Sequence, residues 1–291
     1  MYNFTLHAKT ILADRYTPVS AYIKVRNISP KSCLMESSDY HSEENSHSII
    51  GFNPIAGISI NHSDALFKFP DGASLHKRIT DDYTPENAIS EFMAQFHIDN
   101  DSNGYCGLYG YTAFDAVKYF EHINVSDEPA EKNDAPDICL ILYKSLMVFN
   151  HYNNTLDITE LCSGDEKPQL QKMQNLLNTA NSDTFEFHPV GECRSTLTDE
   201  QHKANIRRCI KHCLRGDVFQ IVISRRFVQK YEGDDLKLYR ALRRINPSPY
   251  LFYFDFGSFR IFGSSPETHC RIDGRHAYID PIAGTTKRTG N

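Results

Sequence analysis

The sequence of 291 residues predicts an α+β fold in which most strands pair antiparallel. Predicted strands outnumber predicted helices, and the short links between consecutive strands favour antiparallel pairing. The predicted strands and helices do not alternate regularly, as they would in a parallel sheet. At about 150 residues per domain, the length leaves room for two domains.

Five helices are predicted from start signals and apolar spacing. A threonine before a proline, or three residues before a glutamine, marks a helix start because its hydroxyl accepts a hydrogen bond from a free backbone N–H group. The predicted helices span about 17–28, 84–97, 168–180, 198–216 and 234–245. Gly216 ends the fourth of them.

The predicted strands are short and cluster towards the end of the sequence. They cover residues 32–37, 138–149, 155–161, 218–227, 250–256, 259–265, 269–273 and 275–282. The run 218–227 is predicted to be a buried strand, and Asp273-Gly274 predicts a hairpin turn. Periodicity is lost over 183–197, which predicts a domain boundary there.

Composition excludes several classes of protein. The 31 Lys and Arg residues against 37 Asp and Glu residues give a net charge of −6, so no basic field predicts nucleic-acid binding. No apolar run approaches the ~20 residues of a membrane span. The eight cysteines are scattered without zinc-ligand spacing, which indicates reduced thiols and a cytoplasmic protein without a structural zinc.

Four motifs carry a resemblance to a known family: LMESSDY (34–40), GDVFQIVISRRF (216–227), NPSPYLFYFDFGSFRIFGSSPE (246–267) and PIAGTTKRTG (281–290). Together they resemble anthranilate synthase component I, in the chorismate-utilising enzymes. The resemblance implies a largely antiparallel β-sandwich with flanking helices. It also implies a regulatory domain over 1–182 and the beginning of the chorismate-binding catalytic domain over 190–291.

The resemblance implies a Mg²⁺-dependent lyase that converts chorismate and ammonia to anthranilate and pyruvate, the first step of tryptophan biosynthesis. A glutamine amidotransferase subunit, component II, would supply the ammonia within a heterotetramer. Family chains continue well beyond the PIAGT motif, into a segment that holds the metal-binding glutamates and a catalytic histidine. We therefore expect the metal ligands beyond Asn291, and a chain that is part of a longer protein and inactive alone.

The resemblance assigns chorismate binding to Gly284 and Thr285. Glycine lets its backbone N–H group approach a carboxylate closely, and the threonine hydroxyl adds a donor. Gln220 stands where isochorismate-forming relatives have a lysine that acts as a general base, and Ala283 stands where aminodeoxychorismate-forming relatives have a lysine. A neutral amide suits ammonia, which is already nucleophilic and needs orientation. The open alternatives are a strand-end turn for the glycine and threonine, and an ordinary strand residue for Gln220.

The resemblance assigns feedback inhibition by L-tryptophan to two further motifs. Ser37 of LMES could bond the ammonium or carboxylate group of the ligand, while a rigid proline corner and a tyrosine ring suit its indole. The residues that match the inhibitor site are Glu36, Ser37, Pro249, Tyr250 and Leu251. A strand end and a structural turn are the alternative reading of these motifs.

Two other functions stay open. One is a sister activity on chorismate, of the aminodeoxychorismate or isochorismate synthase type, against which Ala283 and Gln220 argue. The other is a non-catalytic tryptophan-binding module.

Overall fold

A computed structural model of the chain describes residues 1–37, 46–102, 104–123, 125, 135–179, 185–282 and 284. The chain divides into two structural units. The first unit comprises 1–182 and 246–265, and the second unit comprises 183–245 and 266–291.

The strands of the described residues are β1 (Tyr2–Leu12), β2 (Ser32–Ser37), β3 (His47–Asn61), β4 (Asp64–Lys68), β5 (Ser74–Arg78), β6 (Phe96–Asp99), β7 (Leu108–Thr112), β8 (Ile138–Asn150), β9 (Thr155–Cys162), β10 (Phe187–Ser195), β11 (Phe227–Gly233), β12 (Tyr250–Asp255), β13 (Arg260–Ser265), β14 (Arg271–Asp273) and β15 (His276–Tyr278). The helices are α1 (Pro18–Arg26), α2 (Pro85–Met93), α3 (Leu170–Leu177), α4 (Asp199–Arg215) and α5 (Asp235–Ile245). A 3₁₀ helix covers Phe114–Tyr119.

One sheet of 11 strands forms the first unit. Its main path runs β13-β12-β2-β3-β8-β9-β1-β6, while β4 and β5 extend from β3, and β7 pairs with β8. Only the pair β1–β6 is parallel among the described strands. The predicted α+β class with mainly antiparallel pairing is therefore confirmed.

The central strand β8 separates two hydrophobic clusters. Ile138 and Leu142 belong to one cluster, whereas Ile141 and Tyr143 belong to the other. Because side chains alternate along a strand, the two clusters lie on opposite faces of the sheet. A strand covered on both faces reads as a nearly continuous apolar run, as the sequence of β8 does.

The three predicted helix starts at threonines are confirmed, whereas α3 begins at Leu170, two residues later than predicted. Side-chain oxygens of Thr17, Thr84 and Thr198 each accept a hydrogen bond from the backbone N–H group three residues later. Gly216 ends α4 in the left-handed region, at φ 81°, where glycine has no steric penalty. The helices α1, α2 and α3 end earlier than their apolar spacing predicts, at Arg26, Met93 and Leu177.

The predicted buried strand over 218–227 is wrong. Residues 218–226 belong to no helix or strand, and β11 begins only at Phe227. Phe219 is fully exposed and Val222 is 85% exposed. An apolar run becomes a strand only where another strand pairs with it, and no described strand pairs with these residues.

The second unit contains two small antiparallel pairs, β10–β11 and β14–β15. The predicted hairpin turn at Asp273-Gly274 is confirmed, since Asp273 pairs with His276 around Gly274. One division between the two structural units lies after residue 182, and the predicted regulatory and catalytic domains stay predictions. The residues after this point are divided between the two units, because β12 pairs with β2 and β13 pairs with β12 in the sheet of the first unit.

A carboxylate clamp joins α2 to β5 and gives a testable pH dependence. Glu91 accepts hydrogen bonds from Lys77 Nζ at 2.5 and 2.6 Å and from the Tyr83 hydroxyl at 2.5 Å. These donors, the lysine first, lower the pKa of the Glu91 carboxyl below its usual 4.5. A depressed pKa stabilises the fold above the unfolded-state pKa, and this contribution is lost as the pH falls through the folded-state pKa.

We therefore expect Glu91→Gln to lower the free energy of unfolding at pH 7 by about 1 kcal/mol, a value reduced for solvent screening because the side chain is 37% exposed. The difference from wild type should shrink towards zero below about pH 4.5, in urea titrations at pH 7 and at about pH 3. The exposed Glu121→Gln is the matched control. A difference that stays constant with pH would contradict the clamp.

Candidate functional site

The predicted inhibitor motifs meet where β2 pairs with β12. In this antiparallel pair Tyr250 lies opposite Ser37, and Leu251 lies opposite Glu36. Pro249 directly precedes β12 and is half-buried. Four residues that the sequence assigns to one ligand are thus cross-strand neighbours.

Strand alternation divides these four residues between two faces of the sheet. Ser37 and Tyr250 share a face with Met35 and Phe252, whereas Glu36 and Leu251 lie on the opposite face. On that opposite face α1 packs against the strands, with the Tyr22 and Tyr253 ring centroids 5.6 Å apart. Glu36 is 6% exposed and Leu251 is 4% exposed.

A cavity of about 380 Å³ lies beside Ser37 and Tyr250. This volume falls in the range of small-molecule sites, about 300–1,000 Å³. Its apolar lining includes Met35, Ile49, Tyr111, Phe252, Phe254, Phe256 and Ile261. A cavity with mainly apolar walls and a few polar groups suits a ligand with an aromatic body and a polar end.

The polar groups lie at the cavity end formed by β2 and β3. Ser37 and His47 line the cavity, and Glu36 and Leu251 also contribute to its lining although their side chains alternate to the other face. The Ser37 carbonyl accepts a hydrogen bond of 3.2 Å from the Ser46 hydroxyl. The His47 ring lies 5.7 Å from the Tyr105 ring, centroid to centroid. The serine hydroxyl and the imidazole can therefore hydrogen-bond a polar group of a ligand.

Tyr111 contributes a neutral wall to the same cavity. Its hydroxyl donates a 2.8 Å hydrogen bond to the Pro136 carbonyl, and its ring meets Phe256 edge to face at 5.3 Å. Burial raises the pKa of the Tyr111 phenol above its usual value, so the phenol stays protonated at neutral pH.

The predicted chorismate residues lie in the second unit. Gln220 is exposed in the irregular segment after α4, and Gly284 is exposed as well. No hydrogen bond or ion pair between described residues joins the two. Ala283 and Thr285 lie outside the described residues. The assigned roles of Gln220, Gly284 and Thr285 stay predictions.

The predicted Mg²⁺ has no ligand set in the part of the chain that the structure describes. There, no group of three or more His, Cys, Asp or Glu residues is arranged to hold a metal ion. Among the described helices, none has the length and hydropathy needed to cross a bilayer.

The sequence did not identify several cavity residues. Tyr111 lies in β7, and His47 and Ile49 begin β3; neither strand is among the predicted ones. The alternation of apolar and polar residues in ISIN, at the end of β3, is the signal that could have located this strand. Phe254, Phe256 and Ile261 fall in strands or strand ends that were predicted, but nothing local shows that they face a cavity.

Comparison with known proteins identifies the class of this chain. The family model described as "chorismate binding enzyme" matches residues 31–291, so the chain belongs to the chorismate binding enzymes. Among curated relatives, anthranilate synthase component 1 of Acinetobacter calcoaceticus is 30% identical over 298 residues, covering 95% of this chain and 59% of the relative. The Lactococcus lactis protein of the same name is 27% identical over 294 residues, covering 96% of this chain and 61% of the relative.

Solved structures agree on the fold. Anthranilate synthase component I from Streptococcus pneumoniae matches with a TM-score of 0.60 at 22% identity, covering 92% of this chain and 60% of that chain. The menaquinone-specific isochorismate synthase of Escherichia coli matches with a TM-score of 0.52 at 12% identity, covering 91% of this chain and 51% of that chain. The present chain thus spans about 60% of the length of the curated relatives it matches.

Proposed function

We propose that this chain is the regulatory and chorismate-binding portion of an anthranilate synthase component I. The whole protein would convert chorismate and ammonia to anthranilate and pyruvate, with ammonia delivered by a glutamine amidotransferase subunit and with Mg²⁺ bound by residues outside this chain. L-Tryptophan would inhibit it by occupying the cavity beside β2 and β12.

The pairing of β2 with β12 carries the regulatory part of the proposal. It makes Ser37 and Tyr250, which come from motifs far apart in the sequence, direct neighbours at the end of an aromatic-lined cavity. A purely structural role of these motifs, as a strand end and a turn, would not account for the cavity beside them. The apolar walls match an indole ring, and the serine and histidine match the amino-acid end.

The catalytic part rests on family membership and on the residue types at two positions. Curated relatives at 27–30% identity are named anthranilate synthase component 1. Gln220 replaces the lysine that water activation requires, which supports ammonia as the nucleophile over the isochorismate-forming alternative.

Anthranilate fluorescence tests the proposal, using the reading frame followed to its stop codon and supplied with chorismate, Mg²⁺ and ammonium. We expect anthranilate to form and L-tryptophan to suppress its formation. In that protein, substitution of Thr285 by valine should depress chorismate turnover, because the hydroxyl donor to the substrate carboxylate is lost.

The outcomes separate the alternatives. Isochorismate or aminodeoxychorismate in place of anthranilate would assign a sister activity. A folded protein that binds tryptophan but never consumes chorismate would be a tryptophan-binding module. Unchanged turnover after Thr285→Val would refute the role of that residue.

A further inference from the structure

A second cavity, of about 430 Å³, lies in the first unit on the sheet face formed by β4, β3 and β8. The strand register builds its floor from two rows of side chains. Lys68, Gly57 and Ile141 form one row, and Leu66, Ser59 and Cys139 form the next. β3, which lies between β4 and β8, contributes only Gly57 and Ser59 to these rows. These small side chains leave room for a ligand above the strand.

An aromatic wall borders this floor. Phe256 and Phe259, from the turn between β12 and β13, stack with ring centroids 4.9 Å apart and an interplanar angle of 20°. Both rings line the cavity. Stacked rings present a flat apolar surface, to which a planar ring packs with the offset or edge geometry that aromatic pairs prefer.

Two lysines give the cavity a positive charge. Lys31 and Lys68 line it, and neither ammonium group has a hydrogen bond or an ion pair with a described residue. The described lining residues include no aspartate or glutamate. In a chain of net charge −6, this is a local positive potential suited to a small anion.

The charges of Lys31 and Lys68 both affect the pKa of the Cys139 thiol at the cavity floor. Burial raises the pKa of Cys139 to about 11, while the Lys31 and Lys68 ammonium groups both act to lower it. The two charges therefore reach the same part of the cavity. The thiol itself stays protonated at neutral pH, so it forms part of the cavity wall and reacts only slowly with electrophiles.

We propose that this cavity binds a small aromatic carboxylate, with its ring between Phe259 and the floor at Ser59 and its carboxylate held by Lys31 and Lys68. A zwitterionic amino acid fits less well, because two ammonium groups repel its own. Simple benzoates belong to this class. So does anthranilate, the product of the proposed reaction; binding of benzoate alone would not depend on that reaction.

Cysteine protection locates the site directly. The chain is treated with excess maleimide at about pH 9, where a small fraction of the Cys139 thiol is ionised, and the slow labelling of Cys139 without ligand sets the reference rate. Benzoate or anthranilate is then added at increasing concentration, and modification of each cysteine is followed by peptide mass spectrometry. Cys139 should be protected at saturation, whereas the exposed Cys193 should react at an unchanged rate as the internal control. L-Tryptophan at the same concentration should protect Cys139 far less.

Lysine variants test the charge. We expect Lys31→Gln and Lys68→Gln each to weaken benzoate binding about threefold, and the double variant about tenfold, as exposed ion pairs predict. Lys167→Gln removes the same charge from an exposed position outside the cavity and should bind as wild type. Far-UV circular dichroism and the thermal midpoint confirm that each variant is folded.

Comparing the affinities for benzoate and anthranilate distinguishes a general site for aromatic carboxylates from a site for the product. Equal affinity for benzoate and anthranilate would mean that the cavity recognises only ring and carboxylate, and tighter binding of anthranilate would make it a product site. Both results support the proposal. Absence of Cys139 protection by either compound, or affinity unchanged in the folded double variant, would overturn it, even if the whole protein forms anthranilate.

Discussion

Gly110→Ala is expected to lower the free energy of unfolding by about 3 kcal/mol or more, because a new methyl group would collide with backbone atoms. Gly110 pairs with Leu140 where β7 joins β8. A Cβ atom at this position would lie 1.8 Å from the Cys139 carbonyl oxygen and 2.9 Å from the α-carbon of Leu140. A side chain could rotate away from such a collision, but the backbone of the central strand β8 cannot.

Gly107→Ala is the matched control for this prediction. It lies three residues earlier, and an added Cβ atom there meets nothing within 4 Å. Urea unfolding of the two variants should therefore separate them clearly, with Gly107→Ala within about 0.5 kcal/mol of wild type. If the two variants unfold together, β7 does not approach β8 as closely as the structure places it.

Binding of L-tryptophan to the chain is expected to fall about 100-fold, or about 2.7 kcal/mol, in the variant Ser37→Phe. Ser37 faces the cavity beside Tyr250, so a phenylalanine ring at this position would occupy the space that the ligand needs. The chain contains no tryptophan, so the indole emission of the ligand is free of protein background. Anisotropy of that emission gives the affinity directly.

Ser74→Phe controls for the added ring, since Ser74 lies exposed in β5 and away from the cavity. It should bind tryptophan as wild type does. Equal binding by Ser37→Phe would show that the ligand occupies another place. No binding by the wild-type chain would remove the inhibitor assignment altogether.

Local chemistry made part of the fold predictable. A threonine hydroxyl caps a helix through hydrogen bonds within three residues, so the starts of α1, α2 and α4 could be read from the sequence. The strand β1 was not predicted, although Tyr2, Phe4, Leu6 and Ala8 alternate with polar residues and could have indicated it. Its pairing with β9 depends on residues about 150 positions away. The buried strand predicted over 218–227 failed for a related reason, since the apolar character of these residues does not show whether another strand pairs with them.

The candidate site shows the same division. Residue types and the family resemblance pointed to Ser37 and Tyr250, and their register as opposite residues emerged only from the sheet. The second cavity could not be predicted from the sequence, because its two lysines, Lys31 and Lys68, lie in separate segments. Lys31 directly precedes β2 and Lys68 lies in β4, so their proximity depends on the pairing of β3 with both β2 and β4.

The pairing of β2 with β12 also has a kinetic consequence. About 210 residues separate Ser37 from Tyr250, so this pairing closes one of the longest loops in the first unit. At about 5–20 residues per second, a ribosome needs roughly 10–40 s to synthesise that interval. During this time β2 is an unpaired sheet edge with apolar side chains, a species that chaperones protect from aggregation. The cavity between the two motifs is thus completed only after β12 has been synthesised.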